Sequence, residues 1–516
     1  MTPGRPTPAG WLKWPVIALA TLALLWLVFG LYGAGQAAWA VVVLAFGGIA
    51  IYVYASARTL AWRYLFPGVA GMLVFVAFPL LYTMQIGFTN YSASNLLSLE
   101  RARAYLLDQP TVDEEHARDF TLHADGSDLR ILLTPPDGAA DGARYLSPPL
   151  KLDRKAASGT PLAMQPVGAD APPLGEALPL REVLHHRDAL MILTLQLPAG
   201  PLLSYAGLRE FGPIEPLWEA AADGALTQRA TGLVYRPNHE SGFFETAQGE
   251  RMQPGFKVGV GFTNYTRMLL DPDFRGPFVS IFIWTVTFAG LTVLFSTALG
   301  MTLAVVLNWE ALRYRTLYRT LLFLPYAVPG FISILIFKGL FNQNFGEINA
   351  ILNAVFGIRP AWFADPLLAK VMILIVNTWL GYPYIMVLCT GLIKAIPADL
   401  YEASAIAGAK PLTNFFRITA PLIARPLTPL LISAFAFNFN NFVLISLLTD
   451  GRPDYLNTKL PAGTNDILVS YTYRIAFTDA GTNYGLAAAI STLIFFMVAL
   501  MSLANLKLAQ VNGKKG

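Results

Sequence analysis

Three asparagines fall within four residues, Asn438, Asn440 and Asn441, inside the otherwise apolar stretch Leu422–Leu447. A carboxamide in hydrocarbon is unfavourable unless it meets a hydrogen-bond partner, so these side chains must face other helices or a wet cavity. On a continuous helix Asn438 and Asn441 share a face, being three apart, while Asn440 points elsewhere. Phe437 adjoins Asn438, and a second apolar stretch carries "WLGYPY", with Leu380, Gly381 and Tyr384. Amides that both donate and accept, set beside aromatic faces that cover C–H surface, suit a hydroxyl-rich ligand such as a sugar. Gly381 withdraws a side chain, and Pro383 is expected to break its helix where irregular backbone must line a cavity or be packed by protein. The competing duty for any of these asparagines is a hydrogen bond between helices, and the pattern leaves that open.

Other chemistries find little support. The chain has no Gly-x-x-x-x-Gly-Lys-Ser/Thr loop; its Gly513-Lys514 pair is followed by another lysine. The single cysteine, Cys389, can form neither an intrachain disulfide nor a cysteine-based metal site. His185 and His186 read as a solvated pair, since no third ligand sits at a recognisable spacing, and no metal is expected. No nucleic-acid partner is expected either.

The elements that must hold the asparagines are set by composition. Hydrophobic residues make up 54% of the 516 and charged residues 14%, and the mean hydropathy is +0.48. Such a chain is a polytopic membrane protein. Eight stretches meet the requirement of about 20 mostly apolar residues: Trp11–Tyr32, Ala37–Tyr54, Tyr64–Ile86, Phe278–Leu307, Leu317–Phe337, Leu367–Leu392, Leu422–Leu447 and Leu486–Leu508. The first reads as a retained helix, because its apolar region exceeds a signal core and another span follows at once. Pro325 and Pro329 are expected to kink the fifth. None of the eight contains Asp or Glu, which argues against a secondary transporter coupled to protons or sodium.

Lys and Arg mark every second loop: Arg5 and Lys13; Arg58 and Arg63; Arg313, Arg315 and Arg319; Lys394, Lys410 and Arg417; Lys507, Lys514 and Lys515. Basic loops stay cytoplasmic. Both termini are therefore expected inside, and residues 88–275 outside. Lys338 and Arg474, near the outer ends of spans, read as snorkelling or solvated charges.

The outer segment differs in kind, holding 24 of the 33 acidic residues and all five histidines between Ser92 and Phe274. It is long enough for a domain. "LRILLTPP" from Leu129, "LMILTLQLP" from Leu190 and "TGLVYRPN" from Thr231 carry strand signals, "HADGSD" and "TPPDGAADG" look like turns, and a helix is expected near Glu114–Arg118. A membrane-anchored sensor or enzyme working through this domain is a further reading, though no carboxylate spacing singles out a catalytic pair. "GFTNY" occurs at Gly87–Tyr91 and again at Gly261–Tyr265, and no related spans flank the two copies. They read as rims of an inserted domain. The fold class is thus an all-α polytopic membrane protein of eight transmembrane helices, with a mainly β domain between the third and fourth. Its parts are residues 1–60, two N-terminal helices; 61–91, the third; 92–274, the inserted domain; and 275–516, helices four to eight.

Between spans six and seven lies "IPADLYEASAIAGAKPLTNFFRITAPL", Ile396–Leu422. Pro397 opens a short helix, Asp399 and Glu402 place negative charge in its early turns, and Gly408 suits the left-handed C-terminal position. Pro411 opens a second, with Phe415, Ile418 and Leu422 on one face. Such a helix can dock on a soluble partner or lie at the membrane interface.

The run Glu402, Ala403, Ser404, with Gly408, Phe416, Ile418 and Pro421, resembles the EAA loop of ABC-importer permeases. "LPYAVPGFISILIFKGLFNQNFGEIN" from Leu324, "NTWLGYPYIM" from Asn377, "FAFNFNNFVLI" from Phe435 and "YTYRIAF" from Tyr471 are similar to the MalF family, the larger membrane subunits of maltose and maltodextrin importers. The resemblance implies that loop 396–422 is a coupling helix seated in a separate ATPase, through Glu402, Ala403, Ser404, Gly408, Phe416 and Pro421. It implies a sugar site at Leu380, Gly381, Tyr384, Phe437, Asn438 and Asn441. It implies four kinds of partner besides lipid: a second permease subunit (MalG-like), an ATPase dimer (MalK-like), a periplasmic sugar-binding protein (MalE-like), and maltose or maltodextrin, or another oligosaccharide. The outer domain and the outer loops 339–365 and 449–483 would hold the binding protein. No cofactor is expected on this chain; ATP and Mg belong to the ATPase. The sequence departs from the family at Ala407, commonly Asp, at Ala420, commonly Leu, and at Ala434, where a serine contact is expected and Ser433 stands alongside.

Overall fold

A computed structural model describes residues 8–114, 116–135, 142–152, 161–167, 174–309, 311–456, 458, 461–478 and 482–513. The chain divides into two compact units, Asn90–Gly259 and a second made of Met1–Thr89 with Val260–Gly516.

The second unit is helical. Among the described residues seven continuous helices are long and apolar enough to cross a membrane, and a bent pair raises the number to eight. Beyond Lys13, the helix Pro8–Gly33 is apolar on every side, as is Ala37–Ala55, and many of their large side chains, Trp26 and Phe29 among them, lie exposed. That is the surface expected of helices solvated by lipid. Leu60–Met72 continues through a π turn at Leu73–Ala77 into Phe78–Gly87, and another π turn at Phe415–Thr419 runs into Ala420–Phe439. Each precedes a proline, Pro79 and Pro421, whose missing N–H and bulky ring a widened turn accommodates.

Pro272–Asn308 and Pro366–Lys394 pack along their lengths. The contact is built on a stripe at every fourth residue, Thr292, Ser296, Gly300 and Ala304, all buried. Small residues let membrane helices approach closely. At Gly300 a Cβ would stand 2.9 Å from Tyr382 O, Met386 N and Ile385 Cβ. Two of these are backbone atoms that cannot rotate aside. Gly300→Val is therefore expected to force the helices apart at a cost of about 1–3 kcal/mol, measured as a lower thermal midpoint of the purified protein; an unchanged midpoint would contradict the packing described.

Three expectations about the helices change. Pro383 does not break its helix, since Pro366–Lys394 runs through it without interruption. The break falls instead in the fifth span, where Arg315–Tyr326 and Gly330–Leu340 meet at 87°, more than a kink. Two prolines four apart, Pro325 and Pro329, each remove a backbone donor there, and Gly330 follows. The seventh span also stops short: its helix ends at Phe439, Asn440 is the C-terminal cap, and Asn441 opens a new helix, Phe442–Leu448.

The unit Asn90–Gly259 is mainly β. In its larger sheet Arg118–Asp125 pairs antiparallel with Asp128–Thr134, and Thr194–Gln196, Leu202–Gly207 and Glu210–Gly212 extend one side. Phe120, Leu122, Ile131, Leu133, Leu195 and Phe211 form its core. A five-strand meander from Trp218 to Met252 packs over a second core with Leu106, Trp218, Phe244 and Phe256. The strand signal from Leu129 coincides with Asp128–Thr134, and "HADGSD" makes the hairpin turn, with Gly126 at φ +66°. The signals from Leu190 and Thr231 fall on the shorter strands Thr194–Gln196 and Val234–Asn238. The helix expected at Glu114–Arg118 is absent among the described residues, and a strand begins at Arg118. Helix forms instead at Leu99–Leu107, where Ser98 accepts a hydrogen bond from the Arg101 N–H and Ala102 and Leu106 bury one face. Most of "TPPDGAADG" lies outside the described residues.

The two GFTNY segments use their asparagines alike. Asn264 donates from Nδ2 to the carbonyls of Gly87 and Thr89, both at 2.9 Å, and the Phe88 ring meets Phe262 and Tyr265 at 5.2 and 5.0 Å. Within the β unit, Asn90 accepts from the Val258 N–H at 2.8 Å and donates to the carbonyls of Ser241 and Phe256.

Candidate functional site

The breaks in the fifth and seventh spans border one cavity of about 1060 Å³ in the helical unit. All six residues assigned to the sugar site line it: Leu380, Gly381, Tyr384, Phe437, Asn438 and Asn441. The Pro366–Lys394 helix supplies the first three at helical spacing. The end of Ala420–Phe439 supplies Phe437 and Asn438, and the cap of the next helix supplies Asn441. Irregular backbone at Pro325–Gly330 faces the same space, as backbone unpaired at membrane depth must.

Aromatic and amide groups divide the lining. Phe437 is 71% exposed and Tyr384 42%, and Tyr326 and Phe331 add two more rings. Asn438 and Asn441 do not share a helical face, because the helix stops between them, and Asn440 does not point away but lines the cavity as well. What brings the two together is Asn377. Its Nδ2 donates to Asn438 Oδ1 at 2.7 Å and to Thr292 Oγ1 at 3.1 Å, and its Oδ1 accepts from Asn441 Nδ2 at 3.3 Å. Asn438 Nδ2 donates in turn to Ala434 O at 2.8 Å. The interhelical hydrogen bonding left open by the sequence is thus present in the same residues that line the cavity. Gly381 is a close-approach position too, since a Cβ there would stand 2.8 Å from Ser296 Oγ. Ala434 and Ser433 both border the cavity, with Ser433 Oγ donating to Pro429 O at 3.1 Å.

A second candidate surface is the loop 396–422. Ala398–Ile406 is a helix closed by Ala407, and Gly408 adopts φ +73°. The Gly408 N–H donates to Ala405 O and the Ala409 N–H to Ser404 O, a Schellman closure. Glu402 and Ala403 lie exposed, as do Ile406 at 89%, Leu412 at 72% and Phe416 at 67%. Ser404 Oγ donates to Asn414 Oδ1, and the Tyr401 hydroxyl meets Thr419 Oγ1 at 2.9 Å. These bonds tie the short helix, with its exposed carboxylates Asp399 and Glu402, to the segment Pro411–Asn414 and the π turn after it. Pro421 is exposed just beyond.

Curated relatives cover nearly the whole chain. The maltose/maltodextrin transport system permease protein MalF of Klebsiella aerogenes is 50% identical over 503 residues, 96% of each chain. Its counterpart in Escherichia coli strain K12 is 49% identical over the same length, again 96% of each. This chain belongs to the MalF family. Residues 11–58 match the family description "MalF, N-terminal region, transmembrane helices", residues 97–261 the MalF P2 domain, and residues 296–509 the binding-protein-dependent transport system inner membrane component. A member of the MalF family is an inner-membrane permease subunit, part of a transporter and not an enzyme. Among solved structures, a bacterial ABC transporter involved in the import of alginate is 21% identical with TM-score 0.42, covering 48% of this chain and 83% of that one.

Two features of this MalF-family chain escape a reading by residue type. Asn377 opens the NTWLGYPYIM segment and Thr292 lies in an earlier span, yet neither is assigned to the site by sequence, although Asn377 precedes Gly381 and Tyr384 by four and seven residues, one helical face. Arg474 is the other. It is not a solvated charge: its side chain is 8% exposed and its Nη1 donates to Asp466 Oδ2 at 3.0 Å and Asp454 Oδ1 at 2.8 Å. Asp466, fully buried, also accepts from Ser470 Oγ at 2.8 Å and the Gly463 N–H at 2.7 Å. Burial raises its carboxyl above the usual carboxylate range, opposed by the Arg474 guanidinium and by the hydrogen bonds from Ser470 and Gly463. Among the described residues no group of three His, Cys, Asp or Glu side chains gathers as a metal site.

Proposed function

We propose that this chain is the larger membrane subunit of an ATP-driven, binding-protein-dependent importer of maltose and maltodextrins, and that its cavity forms half of the translocation pathway. The observation that carries the reading is the gathering of Leu380, Gly381, Tyr384, Phe437, Asn438 and Asn441 around one space of about 1060 Å³. That volume suits an oligosaccharide, and rings with amides suit its two kinds of surface. The relatives, named as maltose/maltodextrin permeases, support the choice of sugar.

The bent fifth helix counts as one span, giving eight, with both termini cytoplasmic and residues 88–275 periplasmic, inserted between the third and fourth. The inserted domain and the outer loops meet a sugar-binding protein. A second permease subunit completes the pathway, and an ATPase dimer receives the loop through Glu402, Ala403, Ser404, Gly408, Phe416 and Pro421. This chain binds no cofactor, while ATP and Mg act in the ATPase. Ala434 in place of a serine removes one hydroxyl contact, which alters affinity or accepted chain length and leaves the substrate class unchanged.

The test is uptake across a sugar panel by the reconstituted importer, with Asn438→Ala and Tyr384→Ala alongside the natural chain. Maltose and short maltodextrins are expected to be taken up, and each substitution to reduce the rate about tenfold, the loss of one good polar or ring contact. Equal uptake by both variants would remove the cavity as the sugar's route.

A further inference from the structure

Resting on the reading of this cavity as the sugar site, we propose that Asn377 is its positioning residue, a buried carboxamide that fixes how Asn438 and Asn441 present themselves to sugar hydroxyls. The three amides form a directed relay. Asn441 Nδ2 donates to Asn377 Oδ1, Asn377 Nδ2 donates to Asn438 Oδ1, and Asn438 Nδ2 donates to Ala434 O. A primary amide has two protons on nitrogen and two lone pairs on oxygen. Asn377 commits both protons, one to Asn438 and one to Thr292, and a lone pair to Asn441. At 4% exposure it has little left for a ligand.

Asn438 and Asn441 each commit one proton to the relay and keep a second. The sense of the relay decides which group each presents. Turning the Asn377 amide over would set nitrogen against the Asn441 nitrogen and oxygen against the Asn438 oxygen, breaking both contacts at once. Thr292 accepts from the Asn377 nitrogen at 3.1 Å and anchors the amide in place, while the sense itself is set by Asn438 and Asn441, since a hydroxyl could equally donate. The relay also spans breaks in the fold. Thr292 and Asn377 stand on the two helices packed through Gly300, whereas Asn438 and Asn441 stand on either side of the Phe439 helix end. Asn441 further accepts from the Leu444 N–H, at 3.4 Å, as the cap of the next helix. One side chain on a continuous helix thus sets the orientation of two amides whose own backbone is interrupted.

The test uses the assembled permease and ATPase complex with radiolabelled maltose as the probe, reading maltose binding, uptake, and the amount of complex recovered. Asn377→Ala is expected to weaken maltose binding roughly five- to tenfold, two hydrogen bonds' worth at membrane depth. Combined with Asn438→Ala the two losses are expected to fall short of multiplying, because only the Asn441 contact is left for Asn377 to orient, whereas with Tyr384→Ala they multiply. Thr292→Val, which keeps the side-chain shape, is expected to share part of the defect, and Thr292→Ser to bind as the natural chain does. This pair keeps the test decisive if Asn377→Ala fails to assemble. Losses that multiply for Asn377→Ala with Asn438→Ala, or natural binding by both Asn377→Ala and Thr292→Val, would overturn the positioning role. Natural binding by Asn438→Ala and Tyr384→Ala would instead remove the sugar site itself.

Discussion

Replacing Glu402 by lysine, or Gly408 by valine, is expected to lower ATP-driven sugar uptake roughly a hundredfold while the chain still reaches the membrane and enters the complex, the upper end of typical coupling energies. The two changes act differently. Glu402 lies exposed on Ala398–Ile406, in the loop that also exposes Ile406, Leu412 and Phe416. A lysine there reverses the charge offered to the partner and leaves the helix intact. Gly408 is a conformational position: at φ +73° a β-branched residue is strained by about 1–3 kcal/mol. No atom stands within 4 Å of a Cβ built there, so strain and not crowding is what valine introduces. It would open the Schellman closure and let the segment from Pro411 swing away. ATP hydrolysis that continues without uptake is the pattern expected of both, measured side by side in liposomes. Uptake at the natural rate in either variant would withdraw that residue from coupling.

Arg474→Met is expected to destabilise the protein by about 3–5 kcal/mol, because it strands a buried carboxylate. Asp466 has no exposure and, among the described residues, would keep only Ser470 and Gly463 as donors. Asp454→Asn is the control. That carboxylate is 45% exposed in the same cluster, so its loss should cost no more than about 1 kcal/mol. Adding Asp466→Asn to Arg474→Met removes the stranded charge and should recover part of the loss. Thermal midpoints of the four purified proteins, with hydrogen exchange over residues 461–467, decide the matter. A shift for Arg474→Met no larger than for Asp454→Asn would mean that the ion pair is not what holds the loop before Leu468.

How much of this was legible in the sequence depends on range. Apolar length marks a membrane helix without reference to any neighbour, and all the continuous spans and the β character of Asn90–Gly259 follow from such local signals. Breaks are harder, because a proline's effect depends on what surrounds it. Pro383 is carried within a packed helix, while Pro325 and Pro329 bend theirs by 87°, and both kinds look alike in the chain. The cavity's asparagines were visible as polar residues out of place, but their arrangement depends on where the helix ends, at Phe439, and on Asn377 from another helix. Arg474 shows the limit most plainly. An arginine near a span end is usually a surface charge, and only the fold brings it onto Asp466, eight residues earlier, and Asp454, twenty earlier.

The most direct test of the account is maltose uptake into liposomes holding this chain with its second permease subunit, ATPase and binding protein, with ATP supplied or withheld on the ATPase side. Uptake that requires ATP, and stops when hydrolysis is blocked, is the predicted result. Uptake that persists without ATP, or follows an imposed proton or sodium gradient, would contradict it.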